Sequence, residues 1–398
     1  MRRYLLIPLV ILLALCLDFV SVFAGTPSIH SELIFPLQAK HVHSSCIIEC
    51  PNGDLLATWF HGSGERESPD VVIQGARLRQ GNAAWSEVFP MADTPNLPDC
   101  NPVLFIDAKQ ELTLFWIAVL GDSWNHCLLR FRKSKDYLGD GPPKWHWQDD
   151  LILTPGPEFV AALQEGLPNL SIAEADYGGH VKPPDEALIE AAKDPGKRQL
   201  GWMPRTHLLT LPSGRILFPL YSDGFYVGLM AISDDGGQSW RSSRPIVGVG
   251  LNQPSVVRKR DGTLVAFMRR EGPPPHRMQV STSKDDGETW SLALATDFPN
   301  PNASIEAIAL RDGRWVMAYN DLEKGRDSFA LALSDDEGRS WKWRRHLERK
   351  SGGLFHYPSM IQTKDGRLHL TYTHQPGGED QRSIKHVTFD VEWIAGGD

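Results

Sequence analysis

Cysteine is scarce, with five in 398 residues, and Cys16 lies in the apolar N-terminal run. The others, Cys46, Cys50, Cys100 and Cys127, have no C-x-x-C spacing, so a cysteine-ligated metal fold is excluded. Cys46 and Cys50 share one face of an expected strand and cannot easily bridge each other, so buried free thiols are expected. Basic excess is also missing. The formal net charge is −8, which argues against a nucleic-acid partner. His41, His43, His61 and His207 lack the tight spacing of a metal site, and nothing in the chain calls for a metal or any other cofactor.

Long apolar runs are absent after the N-terminus, so no later segment could cross a bilayer. The first residues do carry one. Met1-Arg2-Arg3 is positive, residues 4–17 are apolar, and Val22-Phe23-Ala24 precedes Gly25. This is the pattern of a signal peptide, residues 1–24, cut after Ala24. Asp18 interrupts the run, which is short for a span, and Leu15 before Cys16 does not suit a lipoprotein cut. The mature protein, residues 25–398, is therefore expected to be secreted or periplasmic, without a membrane span and monomeric. Its length of roughly 370 residues exceeds one ordinary core, so it must be several domains or a fold of repeated small cores.

A repeat decides between these. Ser233-Asp234-Asp235-Gly236-Gly237-Gln238-Ser239-Trp240 recurs as Ser283 to Trp290 and as Ser334 to Trp341, all fitting S-x-D-x-G-x-S/T-W, with tryptophans 50 and 51 residues apart. The pattern suits a hairpin turn: Asp bonds backbone N–H groups, Gly supplies positive φ and Trp fills the space beneath. Between these Asp-box turns fall Asn52-Gly53, Ser213-Gly214, Asp261-Gly262, Asp312-Gly313 and Asp365-Gly366, each joining two β-rich runs. A weaker sixth copy spans Asn101 to Trp116. Each unit reads as four strands, and six such units give an all-β, six-bladed β-propeller with Asp-box turns. An insertion at about 150–202 separates units two and three. Its Gly178-Gly179 and Pro183-Pro184 suggest loop, and Asp185 to Lys193 suggests one short helix. It either shapes a pocket or decorates the surface.

The Asp boxes and unit order resemble the sialidase (neuraminidase) superfamily over nearly the whole mature chain. The boxes lie on the outer rim of such folds, so they speak for fold, while chemistry rests on residues facing the axis. The resemblance implies that the first strand of each blade carries site residues near its start. Eight positions before the residue preceding each turn glycine stand Arg205, Gln253, Ser304 and Tyr357, with His43 close to the equivalent point in blade one.

The resemblance further implies a glycan substrate with a carboxylate on its anomeric carbon, held by arginine forks and attacked by tyrosine. On that pattern Tyr357 is the nucleophile, Arg269 and Arg326 bind the carboxylate, and Asp70 is the acid/base, with Glu65 and Glu67 as rivals. Two positions depart from it. His43 stands near the place of a first-blade arginine, and Gln253 stands where the tyrosine's base would be. Arg205 could replace that arginine, and Glu306 could replace that base. The expected activity is an exo-glycoside hydrolase, sialidase-like, removing terminal acidic sugars. A hydrolase for a different sugar, a polysaccharide lyase pairing Tyr with His, and a non-catalytic glycan-binding propeller remain open.

Overall fold

The computed structural model describes residues 27–170, 176–177, 180–181, 185–272, 274–378 and 380–398. The expected signal peptide, Gly178-Gly179 and Pro183-Pro184 lie outside the described residues.

Six antiparallel sheets surround an axis, one for each sequence unit. Blade one comprises His41–Glu49, Leu55–Gly62, Val72–Leu78 and Phe89–Ala92. Blades two, four and five repeat this meander, beginning at Asp99–Ile106, Leu251–Arg258 and Glu306–Ala309. Blade three is irregular. Met203–Pro204 and Leu209–Thr210 both pair with Ile216–Ser222, so its inner strand is broken in two. Blade six takes its outer strand from the other end of the chain: Ile29–Leu33 pairs with Ser383–Phe389, closing the ring. The sequence reading gave each unit its own closing strand; the shared one explains why no Asp box follows Tyr357.

The Asp boxes behave as their residue types require. Asp285 accepts from Ser283 Oγ at 2.7 Å and from Thr289 N at 3.0 Å, while Gly287 N donates to Ser283 Oγ at 3.0 Å. Gly287 has φ +87°, which a side chain rarely adopts. The box tryptophans pack across to the preceding blade. Trp240 meets Phe115 of blade two at 6.3 Å, and Trp341 meets Phe267 of blade four at 6.1 Å. Blade contacts of this kind bury the apolar core as separate clusters around the ring.

The insertion is more helical than the sequence suggested. Asp185–Lys193 is a helix as expected, but Pro157–Gly166 and Pro195–Gln199 are helices too. Phe159 anchors the first of these, with its ring 5.1 Å from Phe225 and 6.0 Å from Trp202. The insertion thus buttresses blade three, and among the described residues none of it lines the axial cavity. Cys46, Cys50, Cys100 and Cys127 are buried and free.

Candidate active site

Four innermost strands carry the same interruption. Pairing slips between His43 and Cys46, Cys100 and Val103, Asn252 and Ser255, and His356 and Ser359. Inside each slip one non-glycine residue has positive φ: Ser44 at 58°, Asn101 at 51°, Gln253 at 54° and Tyr357 at 60°. A bulge re-aims a side chain. Each such residue costs about 1–3 kcal/mol and persists only where its surroundings enforce it. Proline follows three of them, as Pro102, Pro254 and Pro358, and has no N–H to leave unpaired at the slip. Strain repeated at one level of the propeller concentrates on its axis.

There Asn101, Gln253 and Tyr357 meet in a cavity of about 220 Å³. Tyr357 Oη accepts from Arg269 Nη1 at 2.7 Å and from Gln253 Nε2 at 3.1 Å. Gln253 Nε2 also lies 3.1 Å from Tyr221 Oη, which accepts from Asn101 Nδ2 at 3.2 Å. One hydrogen-bonded chain therefore links blades two, three, four and six around the tyrosine. Arg326 lines the same cavity, donating from Nη2 to Asn302 O at 2.7 Å and from Nη1 to His356 Nδ1 at 3.1 Å. The His43 ring lies 3.9 Å from that of Tyr357, and its Nδ1 lies 3.0 Å from Thr373 Oγ1. Burial, then the charges of His356, His41, Arg326 and Arg205, hold His43 well below the usual imidazole range. It is neutral at pH 7, and so is His356, for which burial and Arg326 are the leading causes.

Two carboxylates face the cavity among the described residues, Glu65 from the first-blade loop and Asp223 directly after the blade-three strand Ile216–Ser222. Their environments differ. Burial raises Glu65, but the close approach of His41 Nε2 at 3.1 Å and that histidine's charge outweigh it, so the carboxyl sits below its usual range. Burial pushes Asp223 up to about 6, with Arg269 opposing and Glu271 reinforcing. Asp223 Oδ1 is buried without a hydrogen-bond partner among the described residues. Above the site Arg66 bonds Asp122 O at 3.2 Å and lies 5.4 Å over the Trp124 ring, joining the loops of blades one and two.

The structure thus brings Tyr357, Arg269, Arg326, His43 and Gln253 together, and leaves three expected residues outside. Asp70 is exposed and bonded to Ser63 N at 3.1 Å and Ser63 Oγ at 2.6 Å; it closes its own loop, and Glu65 turns inward instead. Arg205 is buried behind Tyr357. It bonds Ser304 Oγ at 3.0 Å, Ser44 Oγ at 2.8 Å, Ser45 O at 3.2 Å and Pro358 O at 2.9 Å, which engages all three guanidinium nitrogens, and it does not line the axial cavity. Glu306 lies further along the inner strands and lines a different cavity. Its oxygens accept from Thr206 Oγ1 at 2.8 Å and Met360 N at 2.5 Å and face His207 Nδ1 at 2.5 Å. It cannot serve as the base of Tyr357 while so engaged.

Sequence reasoning missed Asn101, Tyr221 and Asp223. Asn101-Pro102 shares its residue-before-proline signal with Gln253-Pro254 and Tyr357-Pro358, so it was detectable. Tyr221 and Asp223 come from the end of a second strand, outside the periodic offset.

Propeller, rim boxes and polar axial cavity together define a sialidase-like repeat propeller. Residues 53–167 and 170–370 match the model of the BNR repeat-like domain, and the chain belongs to that family. Among solved structures, a protein of unknown function from Dyadobacter fermentans DSM 18053 aligns over 92% of this chain and 100% of its own, at 16% identity and TM-score 0.67. The NanB sialidase of Streptococcus pneumoniae aligns over 91% of this chain and 71% of its own, at 13% identity and TM-score 0.65. The intramolecular trans-sialidase of Ruminococcus gnavus aligns over 91% and 97%, at 11% identity and TM-score 0.64. At these identities the likeness is one of fold. No curated protein matches in sequence.

Proposed function

We propose that this is an exported exo-glycoside hydrolase that removes terminal acidic sugars, sialic acid foremost, from glycans. The observation that carries the reading is the contact of Arg269 Nη1 with Tyr357 Oη at 2.7 Å, in an axial cavity that Arg326 also lines. Two guanidinium groups suit a sugar carboxylate. Beside that anion, a phenol is a better nucleophile than a carboxylate, which would be repelled. Two N–H donors, from Arg269 and Gln253, point at the tyrosine oxygen and meet negative charge developing there. Gln253 cannot take the phenol proton, and the ionised Glu65 in the same cavity is the available acceptor.

The direct test is release of free sialic acid from sialylated lactose by the wild type and by Tyr357→Phe. Turnover abolished in the variant supports the reading; no turnover by folded wild type removes sialosides as substrates.

A second reading follows from neutral His43 beside Tyr357. A neutral imidazole with a tyrosine suits proton abstraction next to a uronate carboxylate, which Arg269 and Arg326 would neutralise. That reaction yields an unsaturated product absorbing in the near ultraviolet, so one absorbance scan with acidic polysaccharides separates the two.

A further inference from the structure

Asp223 and Glu65 rise from different blades into one cavity and differ in what surrounds them. Glu65 is tied to His41. Asp223 is flanked by Arg269, Glu271 and Arg66, by the Asn252 amide, by Tyr221 and Tyr226 and by the Cys127 thiol, so charged or titratable groups face it from blades one to four. The Asn252 Nδ2 group also reaches Glu271 Oε2 at 3.3 Å, which holds a second carboxylate near Asp223. Asp223 lines the cavity that holds Tyr357, and its Oδ1 is buried without a hydrogen-bond partner among the described residues. A carboxyl group kept beside another carboxylate, with one oxygen left unbonded, is built to carry a proton.

We infer that Asp223 is the proton donor to the leaving-group oxygen in the hydrolysis proposed above, an inference that rests on that reading. In the first step the glycosidic C–O bond breaks and its electron pair stays with the leaving oxygen, which takes the proton of Asp223. Tyr357 Oη bonds the anomeric carbon, and its own proton passes to the Glu65 carboxylate. In the second step water bonds the carbon and gives one proton back to Asp223. The tyrosine–sugar bond breaks with its electrons on Tyr357 Oη, which recovers the proton held by Glu65. The sum is one water consumed, with both carboxyl groups and the tyrosine restored. Asp70, closed onto Ser63, takes no part.

The experiment compares two sialosides in the same enzyme preparation: sialylated lactose, whose leaving alcohol is basic and needs a proton, and an aryl sialoside, whose phenolate does not. For Asp223→Asn the expected kcat/KM falls about 1,000-fold on sialylated lactose and less than about 10-fold on the aryl sialoside. The ratio cancels any loss of folded protein. In the wild type, activity on sialylated lactose is expected to decline as pH rises through about 6, the Asp223 value, and the aryl substrate to lack that limb. Glu65→Gln is expected to impair both substrates alike. Equal losses on both substrates for Asp223→Asn, no loss on either, or a leaving-group-selective loss for Glu65→Gln overturns the assignment while the hydrolase reading stands. If folded wild type turns over neither substrate, that reading fails and the inference falls with it.

Discussion

The guanidinium carbon of Arg205 lies 4.7 Å from the centroid of the Tyr357 ring, buried and outside the lining of the axial cavity. Its nitrogens are spent on Ser304, Ser44, Ser45 and Pro358, so a residue of blade three ties down blades five, one and six. Arg205 thereby fixes the strand that presents the tyrosine. Its place is behind Tyr357, and the cations that line the cavity are Arg269 and Arg326.

Arg205→Met removes those bonds and leaves their buried acceptors unpaired. It is expected to lower unfolding stability by about 3 kcal/mol or more, read as a lower urea midpoint with unchanged slope. A midpoint within experimental error of wild type would contradict the positioning role.

Arg269→Met and Arg326→Met are expected each to weaken binding of free sialic acid about 10-fold or more, since a charge-assisted pair to a carboxylate is lost. Calorimetric titration measures this without any turnover. Arg205→Lys, tested beside them, should change stability more than affinity.

The His207–Glu306 pair makes stability depend on pH in a defined direction. Burial depresses His207, but the charge of Glu306, aided by Cys46, outweighs it and holds the imidazole well above its usual range. Nδ1 faces Glu306 at 2.5 Å and Nε2 lies 2.9 Å from Ile47 O, so the protonated ring donates at both ends. A raised folded-state value means the contribution is complete below about pH 6.5 and is lost as pH climbs through that raised value. Urea midpoints of wild type should therefore fall on the alkaline side, and those of His207→Gln should be flatter there. Parallel curves would contradict the linkage.

Gly338 in the third Asp box has φ +77°, and a Cβ there would come within 2.9 Å of the Trp315 ring. Gly338→Ala is expected to cost about 2 kcal/mol through strain and contact. Because the box lies on the rim, kcat/KM of the folded variant should match wild type.

The blades were legible because their signals are local. An Asp box folds as its residues dictate, and the Asp-Gly and Asn-Gly turns set the strand lengths on either side. The ring of Gln253 and Tyr357 followed from the same period, since equal strand lengths put equivalent residues at one height. Asp70 and Glu65 could not be separated, because which acid turns inward depends on whether Ser63 closes the loop onto Asp70. Glu306 shares a strand face with Ser304, yet Arg205 bonds Ser304 and fills the axis behind Tyr357, so Glu306 opens onto another space. Tyr221 and Asp223 come from the end of the second strand of blade three, outside the periodic inner-strand positions, so no local pattern announces them.

The most direct measurement is peptide mass mapping after incubation with a fluorinated sialosyl fluoride, which slows release of a covalent intermediate. The expected result is a single sialosyl adduct on the peptide carrying Tyr357, absent in Tyr357→Phe. Turnover of sialosides with no adduct on Tyr357, or with the adduct on another side chain, would contradict the account.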